Sequence, residues 1–385
     1  MNLQVKALLL LLLLLAGGPA FASAELEAEV AAIERLAVTA HWRDSQSRIS
    51  ALEPRQHELT PAQRQRLAFV RLRNLGLAGD QPAALRAAAE LLEEELPPSL
   101  RVRVYATGIS MAANVEDWPQ AFRWLSDGLE FLPDAPAESS GLLAVASYLH
   151  SLVGETTKAR ELGLRALAEA EAGGDARTIC QALSNVALAD EQAHNHAAAE
   201  AWRRRQIVAC ERAGDAVFIA NAKYGVGKSV AAQGRHEEAL EWTGEALEEF
   251  EAAGFVAGIW SARLSLAGSL IALGRDLDRA EALLNDSLRY YRNHQSNLAS
   301  AETARTLADL AERRGDLSGA LEGLRNAMVA QEGAERESRE RRLAYLQVEF
   351  DTRLKEHQIA LLEAEKELAA LQVTATQRRQ WLLAL

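Results

Sequence analysis

An all-α solenoid of stacked helix pairs, a right-handed superhelix followed by one long coiled-coil helix, is the fold class this sequence predicts. Three observations predict it. Ala and Leu dominate a 385-residue chain that is 49% apolar and only 5% aromatic, with 24 Gly and 9 Pro, a composition that favours helix. Alanines recur at Ala84, Ala121, Ala159, Ala199, Ala239, Ala280 and Ala320, in steps of 37, 38, 40, 40, 41 and 40. Each follows a turn by five or six residues; five of the turns carry glycine, at Gly79, Gly154, Gly234, Gly274 and Gly315. Beyond Ala334 no Gly or Pro interrupts the chain, so nothing stops a last helix.

The elements follow in order. Residues 1–24 read as a secretory signal peptide: Lys6, eight leucines after Ala7, then small residues ending in the A-x-A site Ala22-Ser23-Ala24. Export places the remaining chain in an oxidising compartment without an ATP pool. Its formal charge, −12 and one unit more negative without Lys6, argues against nucleic-acid partners. Residues 25–57 read as a degenerate helical pair. Residues 60–331 divide into seven repeats of about 40 residues, each two helices of about 15. A second turn series, Gly174, Gly214 and Gly254, joins one pair to the next. In "GRHEEALEWTGEALEEFEAAG" (234–254) the residues Ala239, Leu240, Trp242, Ala246, Leu247 and Phe250 recur at helical spacing. Such a hairpin buries its apolar face only against neighbouring hairpins.

One string points elsewhere. "GVGKS" (225–229) looks like the end of a phosphate-binding loop, but the first glycine of that motif would fall at Ala222, and the preceding segment reads as helix instead of strand. Seven residues before successive turn positions stand Ser147, Ala187, Gly227, Ala267 and Ala308, all small. Gly227 therefore reads as one member of a packing series that lets paired helices approach closely.

"VGKSVAAQGRHEEALEWTGEAL" (226–247) and "LADLAERRGDLSGALEGLRNAM" (307–328) resemble tetratricopeptide repeats: an apolar-small pair, a turn glycine, an alanine five residues later and another seven beyond it. Glu116 and His194 stand where two of the turn glycines would be. The resemblance implies a peptide- or protein-binding groove lined mainly by the first helix of each pair. Helical spacing puts Tyr148, Ser151, Gln181, Ser184, Glu191, Asn221, Tyr224, Lys228, Arg305 and Asp309 on that face. The alternative for each charged residue is a solvated face with no ligand.

From 332 to 380 the sequence reads as a coiled-coil helix with a seam of Phe350, Leu354, His357, Leu361, Ala364, Leu368, Leu371 and Ala375, and a homodimer is its expected state. "VEFDTRLKEHQIALLEAEKELAALQ" (348–372) resembles a helix of exported proteobacterial repeat proteins, in which one membrane span and a cytoplasmic output domain, commonly a GGDEF diguanylate cyclase, come next. Residues 381–385, after Arg379, read as the start of a truncated span into the inner membrane. The resemblance implies the periplasmic sensor input of a signalling protein, itself without catalytic residues, metal or cofactor. A periplasmic scaffold is the alternative.

Cys180 and Cys210 lie symmetrically about a turn near Asn195, so an antiparallel pair sets them level, as a disulfide in an oxidising compartment or as two buried thiols. His194 and His196 lack a third metal ligand and read as turn residues, and "HEEAL" (236–240) lacks the second histidine of a zinc-protease helix.

Overall fold

The computed structural model describes residues 24–37 and 42–384. The expected leader lies outside the described residues, apart from residue 24. Among the described residues there are sixteen α-helices and no strand. Helices α1 (24–37) and α2 (Trp42–Leu52) pack Leu26, Val30, Ile33 and Ile49 against Leu67 and Val70 of the next helix. Seven helix pairs follow. They are α3 (Pro61–Ala78) with α4 (Gln81–Leu92), α5 (Pro98–Asn114) with α6 (Trp118–Glu130), α7 (Ser139–Leu152) with α8 (Thr156–Gly173), and α9 (Ala176–Gln192) with α10 (His196–Ala213). Then come α11 (Ala216–Ala232) with α12 (His236–Ala253), α13 (Val256–Leu273) with α14 (Leu277–Asn293), and α15 (Asn297–Arg313) with α16 (Leu317–Ala384). The array is a tetratricopeptide-like solenoid.

Local chemistry sets the boundaries. Thr60 opens α3 with a capping box: its hydroxyl accepts from the Gln63 amide at 3.2 Å, and its own amide donates to Gln63 Oε1 at 2.9 Å. Asp80, Asp117, Asp175 and Asp215 cap α4, α6, α9 and α11 with carboxylates that accept from the third amide of each helix, without the return bond. Within a pair the first helix ends in a left-handed residue. At Gly234 (φ 80°) the reversal is closed by the Arg235 amide donating to Val230 O at 3.0 Å. Glu116 (φ 62°) and His194 (φ 58°) adopt the same conformation without glycine's freedom, so the turn is imposed there by the packing on either side.

The repeated alanines sit where the helices of a pair touch. Ala84, Ala121, Ala159, Ala199, Ala239 and Ala280 are fully buried. Opposite them lies the small-residue series. Ser147 Oγ donates to Ala159 O at 2.7 Å, and a Cβ on Gly227 would stand 3.4 Å from Ala239 O and 3.2 Å from the Thr243 amide nitrogen, colliding with the Thr243 hydroxyl. Gly227 is thus filled space in a helix pair, and the phosphate-loop likeness is accidental. Helix α13 is long and apolar enough to cross a membrane, but it lies inside the array, with Ala262, Ala267, Leu270 and Ile271 buried.

One boundary differs from the expectation. No break separates the last repeat from the coiled-coil segment; α16 begins at Leu317 and runs 68 residues to Ala384. The second helix of the seventh pair and the heptad helix are one rod, because Gly333 stays helical and packs against Asn297 and no proline follows to end the helix. The array curls until this rod meets the second and third pairs. Tyr345 lies 5.3 Å from the Phe122 ring and 5.4 Å from the His150 ring, centroid to centroid. Arg342 pairs with Glu155 and donates to Val153 O at 3.2 Å, and Arg341 lies 5.4 Å over Trp118.

Candidate functional site

The first helices α3, α5, α7, α9 and α11 line a concave cavity of about 500 Å³. Its wall includes Phe69, Arg73, Arg103, Val145, Tyr148, Gln181, Ser184, Asn185 and Phe218. Three of the expected groove residues, Tyr148, Gln181 and Ser184, are therefore on the cavity. Burial raises the Tyr148 hydroxyl above the usual tyrosine range, with Arg341 opposing the shift, so Tyr148 enters the cavity as a neutral donor.

Next to the cavity the wall is held from behind. Arg203 of α10 reaches between α9 and α11 and is buried. Its Nε donates to Glu191 at 2.7 Å, and its Nη1 donates to Gln206 Oε1 at 2.9 Å, Ser184 Oγ at 3.3 Å and Asn221 Oδ1 at 3.4 Å. The guanidinium reaches these groups only because position 225 is glycine. A Cβ there would stand 2.6 Å from Arg203 Cδ. Both glycines of the false phosphate loop are thus explained by packing.

The remaining expected groove residues divide. Glu191 is drawn into the wall by Arg203 and does not present a free carboxylate. Asn221 is half-buried and spends its side-chain oxygen on the same guanidinium. Ser151 is buried, its hydroxyl without a partner among the described residues, because it falls where α7 turns toward α8. Tyr224 packs its ring 6.5 Å from Phe250, and burial, with Glu302 next, pushes its hydroxyl well above the tyrosine range. Glu191, Ser151 and Tyr224 do not line open groove. Lys228, Arg305 and Asp309 are exposed, which matches a solvated charged face.

Arg73, Arg103 and Arg203 were not among the expected site residues. A signal for each exists. Tyr148, Lys228 and Asp309 each follow a small-series position by one residue, and Arg73 follows Leu72, the same position of the first repeat. Gln181 and Asn221 precede that series by six, as Arg103 precedes Ile109, seven before the turn at Glu116. Arg203 is hidden in a run of three arginines; only the helical period, which aligns it with Ala199, Gln206 and Cys210, marks it as inward.

Cys180 and Cys210 are bonded to each other with Cα atoms 5.0 Å apart, linking α9 to α10. His194 and His196 stand 5.9 Å apart, ring to ring, at the turn, and no group of three metal-binding side chains occurs among the described residues. On α16 the seam residues Phe350, Leu354, His357, Leu361, Leu368 and Leu371 are exposed. Side chains at 375 and from 378 onward lie outside the described residues, and with them the expected start of a membrane span at 381–385.

No family model matches this chain, and no curated protein matches it. Solved structures match its fold. A Rap protein complexed with Competence and Sporulation Factor is 15% identical with a TM-score of 0.62, over 88% of this chain and 99% of that one. The apo quorum sensor NprR from B. thuringiensis is 11% identical with a TM-score of 0.56, over 80% and 99%. A signal-transduction ATPase with a tetratricopeptide repeat sensor from Pyrococcus horikoshii is 15% identical with a TM-score of 0.54, over 88% of this chain and 49% of that one. At these identities the likeness shows the tetratricopeptide-like fold.

Proposed function

We propose that this chain is a periplasmic peptide-binding module and the sensor input of a membrane-bound signalling protein. A peptide or protein segment lies in the concave cavity, and α16 carries the consequence toward the inner membrane and an output domain of the GGDEF type. The observation that carries this reading is the double role of α16. The same uninterrupted helix completes the seventh pair, docks on α6 and α7 through Tyr345, and continues as a rod whose heptad leucines are uncovered. A ligand that prefers one curvature of the array must shift that docking, since the contact ties the seventh pair to the second and third across the curl of the array. The uncovered seam suits a second copy of the chain. That Rap and NprR share the fold adds support, the first being complexed with Competence and Sporulation Factor and the second being a quorum sensor.

Cysteines placed at Leu354 or Leu361, with Lys366→Cys on the outer face as control, test it in the exported full chain. Oxidation is expected to give covalent dimers through positions 354 and 361 and few through 366. A degenerate hexapeptide pool is expected to change the 354 yield. Equal crosslinking at all three positions overturns the dimeric rod. Seam crosslinking that no peptide pool alters favours the second reading, a periplasmic scaffold, for which the same exposed seam would be a fixed assembly surface.

A further inference from the structure

The cavity wall holds an unbalanced charge. Arg73 on α3 and Arg103 on α5 both line it. Among the described residues neither has a hydrogen bond or ion pair to a carboxylate; Arg103 Cζ lies over the Phe69 ring, 4.5 Å from its centre. A third arginine, Arg177 at the start of α9, adds to the positive field at Arg73, although it is itself paired with Asp215 at 3.5 Å. Among the described residues the one carboxylate on the cavity wall is Glu138, which is engaged by the Ser99 hydroxyl at 2.5 Å. A chain with a formal charge of −12 therefore concentrates unpaired positive charge in its groove.

Such a cluster costs stability in the empty protein. Burial first, then Arg177 and Arg103, pulls the Arg73 guanidinium down to about 10, far below the ordinary arginine value. Guanidinium groups with no carboxylate partner, set in a half-dry cavity, are the donors best suited to an incoming oxyanion, which they grip through paired N–H groups. Gln181, Asn185 and Tyr148 stand on the same wall, and Val102, Val145 and Phe218 give it apolar surface.

The geometry points to an anion-anchoring subsite in the groove, in which Arg73 and Arg103 together hold a carboxylate of an acidic peptide. This inference rests on the reading of the groove as a peptide site and names the class of peptide. The carboxylate comes from an Asp or Glu side chain or from a free C-terminus. Polyanions such as nucleic acid are disfavoured, because the overall negative charge of the chain repels them while a short peptide's single carboxylate meets only the local field.

The probes are fluorescein-labelled degenerate hexapeptide pools with one position fixed as Glu, Lys or Ala, each made with a free and an amidated C-terminus. Anisotropy with the full chain is expected to show the Glu pool binding at least about tenfold tighter than the Lys pool, with the preference shrinking as salt rises. Loss of affinity on amidation alone assigns the carboxylate to the C-terminus; loss on replacing Glu by Ala assigns it to a side chain. R73Q and, separately, R103Q are expected to abolish the preference while leaving residual binding of the Ala pool. R73Q is also expected to raise the melting temperature of the empty protein, since it removes an uncompensated charge. Equal binding of Glu, Lys and Ala pools to the wild-type chain, with free and amidated C-termini alike, overturns the subsite but leaves the peptide groove standing. Binding of no pool at all overturns both.

Discussion

Arg203 lies against Gly225, its Cδ only 2.6 Å from where a Cβ would be, and this contact lets the guanidinium pass between α9 and α11 to Glu191. A glycine in mid-helix is ordinarily a weakness, costing about 1 kcal/mol relative to alanine. Here it admits a buried ion pair. G225A should therefore push Arg203 out of place, leave Glu191 unpaired, and destabilise the array by about 3 kcal/mol. Gly244 on α12 faces open space, with nothing within 4 Å of the place a methyl group would take, and G244A should stabilise by about 0.5–1 kcal/mol. Urea unfolding of both variants checks the contrast; equal effects would refute the assignment of Gly225.

Gly227 meets a different obstacle, the side chain of Thr243 across the helix pair. G227A should cost about 1–3 kcal/mol from overpacking. Thr243 Oγ1 is buried without a hydrogen-bond partner among the described residues, so T243A should be tolerated. The double variant should recover most of the G227A loss. A double-mutant cycle with coupling below about 0.5 kcal/mol would show that the two residues do not share the space.

The Cys180–Cys210 bond joins α9 to α10 across the turn that carries His194 in a left-handed conformation. C180A/C210A should lower stability by about 2–4 kcal/mol, on the loop-closure account of disulfides. The reference is the oxidised wild type, and the test is its denaturant midpoint against that of the double variant.

Acid should loosen the docking of α16. Burial holds the His150 imidazole below the ordinary histidine range, with Lys158 next and Arg342 lesser, while Glu155 and Glu349 pull the other way. A lowered folded-state value means the stabilisation is complete above the unfolded-state value near 6.5 and is lost as pH falls through the folded-state value. Amide protection over residues 341–352, with the intrinsic pH dependence of exchange divided out, should therefore fall as the pH is lowered from about 7.5 through the unfolded-state value to about 5. Y345A should give low protection at both ends of that range. Protection that is independent of pH in the wild type would remove His150 from the contact.

The fold class was legible because a 40-residue period leaves the same residue type at every helix-pair contact, as Ala159 and Ala239 illustrate. The groove was legible only in part. Helical spacing predicts which face a residue occupies, and Tyr148, Gln181 and Ser184 line the cavity. It does not say what reaches that face from behind, so it misses that Arg203 claims Glu191. It also does not reveal that α16 returns to α6, since a contact between Tyr345 and Phe122 depends on the summed curvature of the array. Arg73 sat in register with Tyr148 and Lys228, but the first repeat carries Leu72 where the third to seventh repeats carry a small residue, and that masked the register.

The fusion of repeat helix and heptad helix into one element makes α16 a lever. Its fulcrum is the Tyr345 contact with Phe122 and His150. From Thr352, whose hydroxyl meets that of Ser126 on α6, to Ala384 the arm is about 48 Å long at 1.5 Å per residue. A tilt of about 5° at the fulcrum would sweep its far end by about 4 Å, most of the pitch of one helical turn, with no hinge between to absorb it. A slight change in the curl of the array is thereby magnified along the rod before it reaches the next part of any larger assembly.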